Sequence, residues 1–370
     1  MKEKKIEILK SKRGFTSLMI IGIFIAFMAI YYFLSTPALK VVTDDITEIY
    51  FADHISAAHR KVISLFNKKY EGKIKVIPID LSFDHFSTNE RKELLSRSFR
   101  SKSDRIDIFA VDQIWVQRFE KWAEPLDKGI SRQQRDAILN FALESCYVDS
   151  TLMASPFILD IALMYYRQDI LETLPNYKEI KSKLDNSITW EELIELSRNK
   201  MFADNPFYTF QADEYEGLVC SFIEAVLNQN RNYFDGGNTE FNSAEVRNAL
   251  TLLVNLVNKY SASPHDVTDF VENASYEYFL KNDGVFLRAW PSFNVSLLNE
   301  YKSLVKNFKI AKCPLPHFKG TKPASVFGGW NLMISKYSKY KNEAMEFIKF
   351  VLSKEVQLVM YKEGGYLPIL

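Results

Sequence analysis

Hydrophobic and polar positions along residues 46–120 follow a pattern that predicts strands separated by helices. The runs ITEIYF (46–51), IKVIPIDL (74–81) and IDIFAVD (106–112) are strand-like, and stretches with apolar residues at helical spacing follow the first two. The third run is almost continuously apolar, as expected for a strand covered on both faces. This alternation predicts a parallel α/β sheet with right-handed crossovers.

A second α/β block is predicted from residue 162 onward. Thr189 and Glu192 have the spacing of a capping box at a helix start. Strand-like runs follow at 284–290, 308–315 and 331–335. After Asn242, a helix is predicted to bury one apolar stripe, made of Val246, Ala249, Leu250, Leu253, Val254 and Val257.

Composition excludes several classes of protein. The chain of 370 residues has 47 Lys+Arg against 46 Asp+Glu, and 47% of its residues are hydrophobic. That content is too apolar for a disordered chain, and no basic excess suggests a nucleic-acid partner. With only 3 Cys, a disulfide framework is not expected. We expect each cysteine to be a small buried residue.

The N-terminus has the pattern of a membrane anchor. A basic head (1–14) precedes an uncharged apolar run (15–34) and a short linker (35–44). A helix rising about 1.5 Å per residue over that run would reach roughly 30 Å, the thickness of the hydrocarbon layer. We expect an uncleaved single-pass anchor with the body on the extracytoplasmic side. A cleaved signal segment, whose apolar region is usually about 7–15 residues long, is the alternative.

Standard catalytic and cofactor signatures are absent from the sequence. It contains no GxGxxG after a strand, no GxxxxGK[ST], HExxH, GxSxG or CxxC. The 5 His do not cluster, so we predict no metal site and no cofactor. Paired carboxylates for glycoside hydrolysis need only spatial closeness, so a glycoside hydrolase remains a hypothesis.

Three positions offer ligand chemistry at the ends of predicted strands. Asp112 follows the third strand, where open α/β sheets bind ligands, but it is equally suited to cap the next helix. Trp290 ends the run 284–290 and is either a stacking surface or a core ring. Gly328 and Gly329 precede Trp330 before the run 331–335, where glycines allow close backbone approach. A tight turn beside a buried tryptophan is the alternative there.

The order of motifs resembles one known family from about residue 46 to the end. The segments are IDIFAVDQIWVQRF with WAEPLDKGI, SPFILDIALMYYRQDIL, TWEELIELS, FQADEYEGLVCSFIEAVL, DGVFLRAWPS and FGGWNLMISKYSKYKNEAMEFIKFVLSKEVQ. In this order they are similar to the extracellular solute-binding proteins of the maltose/trehalose-binding type, the binding components of carbohydrate ABC importers.

The resemblance implies a two-lobed periplasmic-binding-protein fold, type II-like, with the ligand cleft between the lobes. It assigns residues 45–157 with 328–370 to the first α/β lobe and 158–327 to the second. It further implies a monomeric protein that is not an enzyme, binds a sugar and delivers it to the permease subunits of an ABC importer.

The resemblance also implies a set of ligand-binding residues. Acidic acceptors and flat indole rings suit a sugar, which has a rim of hydroxyls and an apolar face. Trp290 and Trp330 are expected to sandwich that face. The implied ligand-binding residues are Asp112, Asp160, Gln211, Tyr215, Glu216, Trp290, Gly328, Gly329 and Trp330.

Two features depart from the family pattern. An apolar N-terminal helix is unusual where members are released or lipid-anchored, so a membrane-tethered sugar sensor for a signalling partner is the alternative function. The sequence printed here stops at Leu370, where the family continues with further helices. We therefore expect a short variant or a fragment.

Overall fold

The computed structural model describes residues 46–83, 85–237, 239–293, 301 and 303–370. The predicted basic head (1–14), the anchor at 15–34 and the whole linker (35–44) lie outside the described residues. Across the described ranges, no helix has both the length and the apolar character needed to span a bilayer.

Eleven strands occur in the described part of the chain. They are β1 (Thr47–Asp53), β2 (Ile74–Asp80), β3 (Ile108–Asp112), β4 (Tyr147–Val148), β5 (Thr151–Leu152), β6 (Ser155–Ile161), β7 (Leu163–Arg167), β8 (Tyr208–Thr209), β9 (Phe286–Ala289), β10 (Ile310–Cys313) and β11 (Phe327–Ile334).

Helices surround these strands, and we number the α-helices of the described residues in chain order. They are α1 (Ala57–Lys69), α2 (Thr88–Arg100), α3 (Val116–Phe119), α4 (Arg132–Asp136), α5 (Asn140–Glu144), α6 (Gln168–Leu171), α7 (Tyr177–Asp185), α8 (Trp190–Ser197), α9 (Glu216–Leu227), α10 (Ala244–Asn258), α11 (Glu272–Lys281), α12 (Lys341–Val351) and α13 (Lys354–Gly364). Short 3₁₀ turns include Gln113–Trp115 and Glu120–Trp122.

The first sheet has the strand order β2-β1-β3-β11-β6. The pairs β1–β2 and β1–β3 are parallel, as the alternating pattern predicts. By contrast, β11 runs antiparallel between β3 and β6. The prediction of a parallel sheet is therefore wrong for β11 alone, a strand from near the end of the chain that lies between β3 and β6.

The second sheet has the order β10-β7-β9-β8. It pairs β7 antiparallel with both β9 and β10, and β8 parallel with β9. Only Ala162 separates β6 of the first sheet from β7 of the second. The chain returns at Val326, whose carbonyl accepts the Ala162 N–H at 3.3 Å. The two crossings therefore lie side by side.

Two large hydrophobic cores accompany the two sheets. One contains buried residues from Ile49 to Leu159 together with Leu332 to Ile369, and the other contains residues from Ala162 to Leu315. We call the parts of the molecule built on the first and second sheets the first and second lobes. Side chains from the end of the chain therefore pack into the first lobe.

The buried stripe of α10 differs from the prediction. Leu250 and Val254 are 50% and 55% exposed, whereas Leu252 and Leu256 are buried. The helix is apolar on two faces, and its packing against the second core selects the face that includes Val246 and Ala249. The apolar stripe predicted from periodicity therefore includes two residues, Leu250 and Val254, that are exposed to solvent.

The three cysteines are all free thiols. Cys146 and Cys313 are buried as expected, but Cys220 on α9 is only partly buried.

Candidate functional site

Strand β11 brings two acidic residues to one face of the first sheet. Its Trp330 pairs with Asp112 of β3, and its Gly328 pairs with Asp160 of β6. Directly paired residues, and residues two apart on one strand, share a face of a sheet. All four residues therefore lie on the same face, and Gly328 adds no side chain to it.

Residues 328–330 are inside β11, although the sequence suggested a turn just before a strand. The strand begins at Phe327, and β6 pairs with it from there onward. Gly329 belongs to the opposite face of β11 from Gly328 and is buried. A Cβ built on Gly329 would stand 2.5 Å from the carbonyl oxygen of Ile158. This glycine is thus required by the close approach of β6.

Asp112 has the capping role that the sequence allowed, and its role as a ligand acceptor stays a prediction. Its Oδ1 accepts the Ile114 N–H at 3.1 Å, which caps the 3₁₀ turn at Gln113–Trp115. Burial raises the pKa of Asp112 to about 6, the Ile114 hydrogen bond opposes that rise, and the charge of Glu216 adds to it. Glu216 begins α9 of the second lobe. The carboxylate of Glu216 is therefore near enough to Asp112 for their charges to interact.

Asp160 carries a buried carboxylate oxygen with no partner. Its Oδ1 makes no hydrogen bond to any residue of the described chain. Burial raises the pKa of Asp160 to about 7, and the negative charge of Asp112 contributes to the rise. A buried acceptor without a donor has a free-energy cost, which a ligand hydroxyl would relieve.

Trp290 of the second lobe stands against the first lobe at Gly328. A Cβ built on Gly328 would lie 3.8 Å from Cη2 and 3.9 Å from Cζ3 of the indole ring. The indole Nε1 donates to Glu272 at 3.4 Å, and the backbone N–H donates to the hydroxyl of Tyr276 at 3.2 Å. The ring is therefore fixed at the junction of the two lobes.

A buried arginine covers one face of Trp290. The guanidinium carbon of Arg288 lies 4.2 Å from the centre of the indole ring. Arg288 forms a two-point pair with Glu224, through Nε at 3.1 Å and Nη2 at 2.8 Å. Its Nη1 donates to Gln211 at 3.0 Å. All three guanidinium nitrogen atoms of Arg288 therefore have hydrogen-bond partners.

Gln211 and Tyr215 lie beneath this surface. Gln211 is fully buried, and its amide donates to Ser275 at 2.7 Å and to the Arg288 carbonyl at 3.0 Å. Burial, and then the charge of Glu272, raises the pKa of Tyr215. Gln211 therefore supports the strand that precedes Trp290, and Tyr215 immediately precedes α9, which begins with Glu216. A direct ligand contact by either one stays a prediction.

Trp330 has a matching arginine in the first lobe. The guanidinium carbon of Arg91 lies 4.2 Å from the centre of the Trp330 ring and 4.4 Å from that of Phe83. Its Nη2 donates to Asp53 at 2.7 Å, and all of Arg91 except 2% is buried. Each tryptophan thus has one face covered by a buried, ion-paired arginine. A ligand could therefore stack only on the other face of either ring.

Sequence reasoning missed these arginines, although a signal was present. Arg91 precedes Leu95 and Phe99 by four and eight positions, which places a charge on the buried face of α2. Arg288 stands in the middle of β9, where every residue is buried. A charged residue at a core position requires a buried partner, and here the partners are Asp53 and Glu224.

The assembled site consists of acceptors and flat rings. It brings together Asp112, Asp160, Trp330 and Gly328 of the first lobe with Trp290 and Glu216 of the second. Within the described ranges, no group of three or more His, Cys, Asp or Glu could hold a metal ion.

Comparisons with known proteins identify relatives over most of the chain. The sequence model of the family described as "Bacterial extracellular solute-binding protein" matches residues 50–358. A "Probable ABC transporter-binding protein" of Deinococcus radiodurans is 24% identical over 316 residues, which cover 84% of this chain and 72% of that protein.

Solved structures share the fold. Maltose-bound MalE3 of T. maritima has a TM-score of 0.73 and 26% identity, covering 87% of this chain and 81% of that one. A solute-binding protein of Thermotoga lettingae, bound with α-D-tagatose, has a TM-score of 0.72 and 20% identity, covering 88% and 82%.

Proposed function

This chain belongs to the bacterial extracellular solute-binding protein family, and on that premise we propose that it binds a neutral sugar between its two lobes and delivers it to the permease of an ABC importer. The resemblance inferred from the motifs is confirmed, as is the two-lobed α/β fold. The protein is a binding protein and not an enzyme, so the glycoside hydrolase hypothesis is set aside.

One observation carries the choice of a sugar. Strand β11 aligns Asp112, Trp330, Gly328 and Asp160 on one face, and Trp290 of the second lobe stands opposite Gly328. Unpaired carboxylates accept hydrogen bonds from hydroxyls, and the open face of an indole packs on the C–H face of a pyranose. Maltose, which is bound in the T. maritima structure of 26% identity, offers such hydroxyls and C–H faces.

The proposed site uses the predicted residues in two ways. Asp112, Asp160 and Glu216 accept hydrogen bonds from ligand hydroxyls, while Trp290 and Trp330 each present one ring face. Gly328 adds no side chain to the face that the ligand meets. Gln211 holds Arg288 in place, and Gly329 allows the close approach of β6. A direct ligand contact by Gln211 or Tyr215 stays a prediction.

The proposed delivery step depends on motion of the lobes. The two crossings at Ala162 and Val326 lie side by side, which suits rotation of one lobe against the other. The lobe limits stay a proposal near 45–157 with 328–370 and 158–327, since Ile158 and Leu159 still pack in the first core and the second core begins at Ala162. We also propose that the body is monomeric and that the apolar run 15–34 anchors it to the membrane, with the body on the outer side.

Calorimetric titration of the body (residues 45–370) tests the ligand class. The panel contains maltose, maltotetraose, D-tagatose, D-glucose, D-xylose and ribitol, with amino acids and short peptides as the contrast. Binding to one or more sugars, and to no amino acid or peptide, is expected. Binding to peptides alone would overturn the proposal.

Uptake of the labelled sugar by cells tests delivery. Deleting the gene should abolish uptake of the sugar that binds. If uptake persists and only gene expression changes, the membrane-tethered sensor replaces the importer component.

A further inference from the structure

The amino and carboxyl ends of the first sheet differ in charge. Each of the three parallel strands β1, β2 and β3 ends on an aspartate, namely Asp53, Asp80 and Asp112. The turns at the amino ends of the same strands are rich in lysine and arginine instead. Because α1 and α2 return the chain from the carboxyl end of the sheet to its amino end, both helices finish at the basic end.

Three segments make up this basic end of the sheet. Residues 68–73 lead into β2, residues 100–107 lead into β3, and residues 335–340 follow β11, whose last residue pairs with the first residue of β3. Together they contain eight basic and three acidic residues, a net charge of +5. All of the basic residues except Arg105 are exposed. We call this set the basic face, and it consists of Lys68, Lys69, Lys73, Arg100, Lys102, Arg105, Lys336 and Lys339.

Contacts join the three segments into one surface. The ammonium of Lys339 lies 2.8 Å from a carboxylate oxygen of Asp104, which connects residues 335–340 with residues 100–107. The hydroxyl of Tyr70 donates at 3.1 Å to Glu346 of α12, the helix that follows residues 335–340. Since Asp104 is paired and Asp107 is fully buried, Glu71 is the one exposed acid within these three segments. The positive charge of the face is therefore little compensated.

The chain enters the body at this same end. The N–H of Thr47, the first residue of β1, donates to the Lys73 carbonyl at 2.9 Å. Residues 35–45 connect the proposed anchor with the body, and a chain of that length spans at most about 40 Å. The proposed anchor therefore keeps the basic face within that distance of the lipid headgroups.

We propose that the basic face docks on anionic phospholipid headgroups of the membrane that holds the anchor. This inference rests on the proposed anchor at 15–34. Lysine and arginine side chains are attracted to an anionic bilayer surface over about one Debye length, roughly 10 Å at 0.1 M salt. The tether raises the effective concentration of the face at that surface, so several exposed cations acting together are sufficient for docking.

Docking on this face sets the orientation of the candidate ligand site. Strand β1 has seven residues that each rise about 3.3 Å, so its two ends are about 23 Å apart. Asp112 lies at the carboxyl end of the sheet, opposite the basic face. The docked body therefore holds the site turned away from the lipid, which suits capture of a sugar from the medium. Delivery to a permease then requires the body to leave the surface.

Lysine labelling of the full chain in lipid nanodiscs tests the docking. Discs of phosphatidylcholine alone are compared with discs that also contain phosphatidylglycerol, and mass spectrometry follows the reaction of each lysine with an amine-reactive reagent. In the anionic discs, lysines of the basic face should react about 3- to 10-fold more slowly, because the attraction of a few lysines shifts the docked population by at least that factor. At about 1 M salt, where the Debye length is about 3 Å, the difference should disappear.

Two triple variants with the same change of charge locate the contact. The face variant carries Lys68→Glu, Lys73→Glu and Lys102→Glu. The control variant makes the same change on the second lobe, with Lys178→Glu, Lys200→Glu and Lys319→Glu. All six lysines are exposed, so the melting temperatures should stay near that of wild type. The face variant should lose the protection of the remaining face lysines, Lys69, Lys336 and Lys339, and the control variant should keep it.

Each outcome supports or overturns the docking. If wild-type lysines react equally in both kinds of disc, or if their protection persists at high salt, the proposal is wrong. Protection that survives in the face variant, or that falls on second-lobe lysines instead, also overturns it. If a variant does not fold, the lipid and salt comparisons on wild type decide.

Two further outcomes identify a failed premise or another partner. If the full chain does not enter neutral discs, the proposed anchor fails and the docking fails with it, whereas sugar binding by the body is unaffected. If anionic lipid gives no protection but soluble polyglutamate does, the face binds an acidic polymer and the membrane assignment is wrong.

Discussion

The outer edge of the Trp290 indole ring lies against Gly328, so that a Cβ on this glycine would stand 3.8 Å from the ring. Trp290 follows β9 of the second lobe, and Gly328 is part of β11 in the first. Asp112 and Asp160 occupy the strands on either side of β11. Residues more than thirty positions apart therefore form one surface at the junction of the lobes.

Replacing Trp290 with alanine should weaken sugar binding about 10- to 100-fold, because roughly 1.5–3 kcal/mol accompanies the burial of an aromatic ring. The melting temperature should stay near that of wild type, since the ring is only partly buried. Calorimetry and thermal unfolding measure the two effects. The control is Trp190→Ala, which removes a buried ring of the second core and should destabilise the protein by about 3–5 kcal/mol. A large loss of stability with unchanged affinity would identify Trp290 as a core residue.

The adjacent glycines of β11 should respond differently to alanine. At Gly329 the new Cβ would meet the Ile158 carbonyl at 2.5 Å, so β6 and β11 must separate. We expect the free energy of unfolding to fall by about 1–3 kcal/mol. At Gly328 the Cβ meets Trp290 at an ordinary contact distance, and stability should change little. Urea denaturation of both variants checks this contrast, and equal destabilisation would contradict the assigned register.

Asp160→Asn should stabilise the protein in a pH-dependent way. The pKa of Asp160 is raised to about 7 by burial and by the charge of Asp112, whereas the pKa of Asp in an unfolded chain is about 3.9. Between these values the unfolded chain ionises first, so rising pH favours unfolding. The cost is absent below about pH 4 and complete above about pH 7. Asparagine does not ionise and removes this cost.

Urea denaturation at pH 4 and pH 8 measures the effect. We expect Asp160→Asn to gain on the order of 1–3 kcal/mol over wild type at pH 8, and little at pH 4. The exposed Asp204 offers the same substitution as a control. A gain of equal size at both pH values would show that ionisation of Asp160 is not the cause.

Glu224→Ala should be strongly destabilising, because it leaves the guanidinium of Arg288 buried without a counter-charge. Breaking a buried ion pair in this way costs about 3–5 kcal/mol. The exposed pair Lys281–Glu277 serves for comparison, and Lys281→Ala should leave the unfolding midpoint close to that of wild type. Chemical denaturation distinguishes the two. A Glu224→Ala variant as stable as wild type would mean that Arg288 reaches solvent or another acceptor.

The sequence by itself determined the local elements and the family. Strands β1, β2 and β3 and helices α1 and α2 follow from periodicity, since a period of two or of 3.6 residues is a property of neighbouring positions. The order of six motifs identified the family, and the strand-end position of Asp112 made it a site candidate. Its role as a cap was equally evident from the sequence, and the structure shows it.

Only the tertiary structure decided what those elements meet. In the folded chain, β11 lies antiparallel beside β3, and only one of the two apolar faces of α10 is buried. Arg91 pairs with Asp53, which is 38 positions away. Arg288 and Glu224 are 64 positions apart. Such contacts form only when long loops close around a common core. The local sequence therefore does not predict which distant acidic residue will pair with a buried arginine. Likewise, only the folded structure shows that Nε and Nη1 of Arg91 are buried without a hydrogen-bond partner among the described residues.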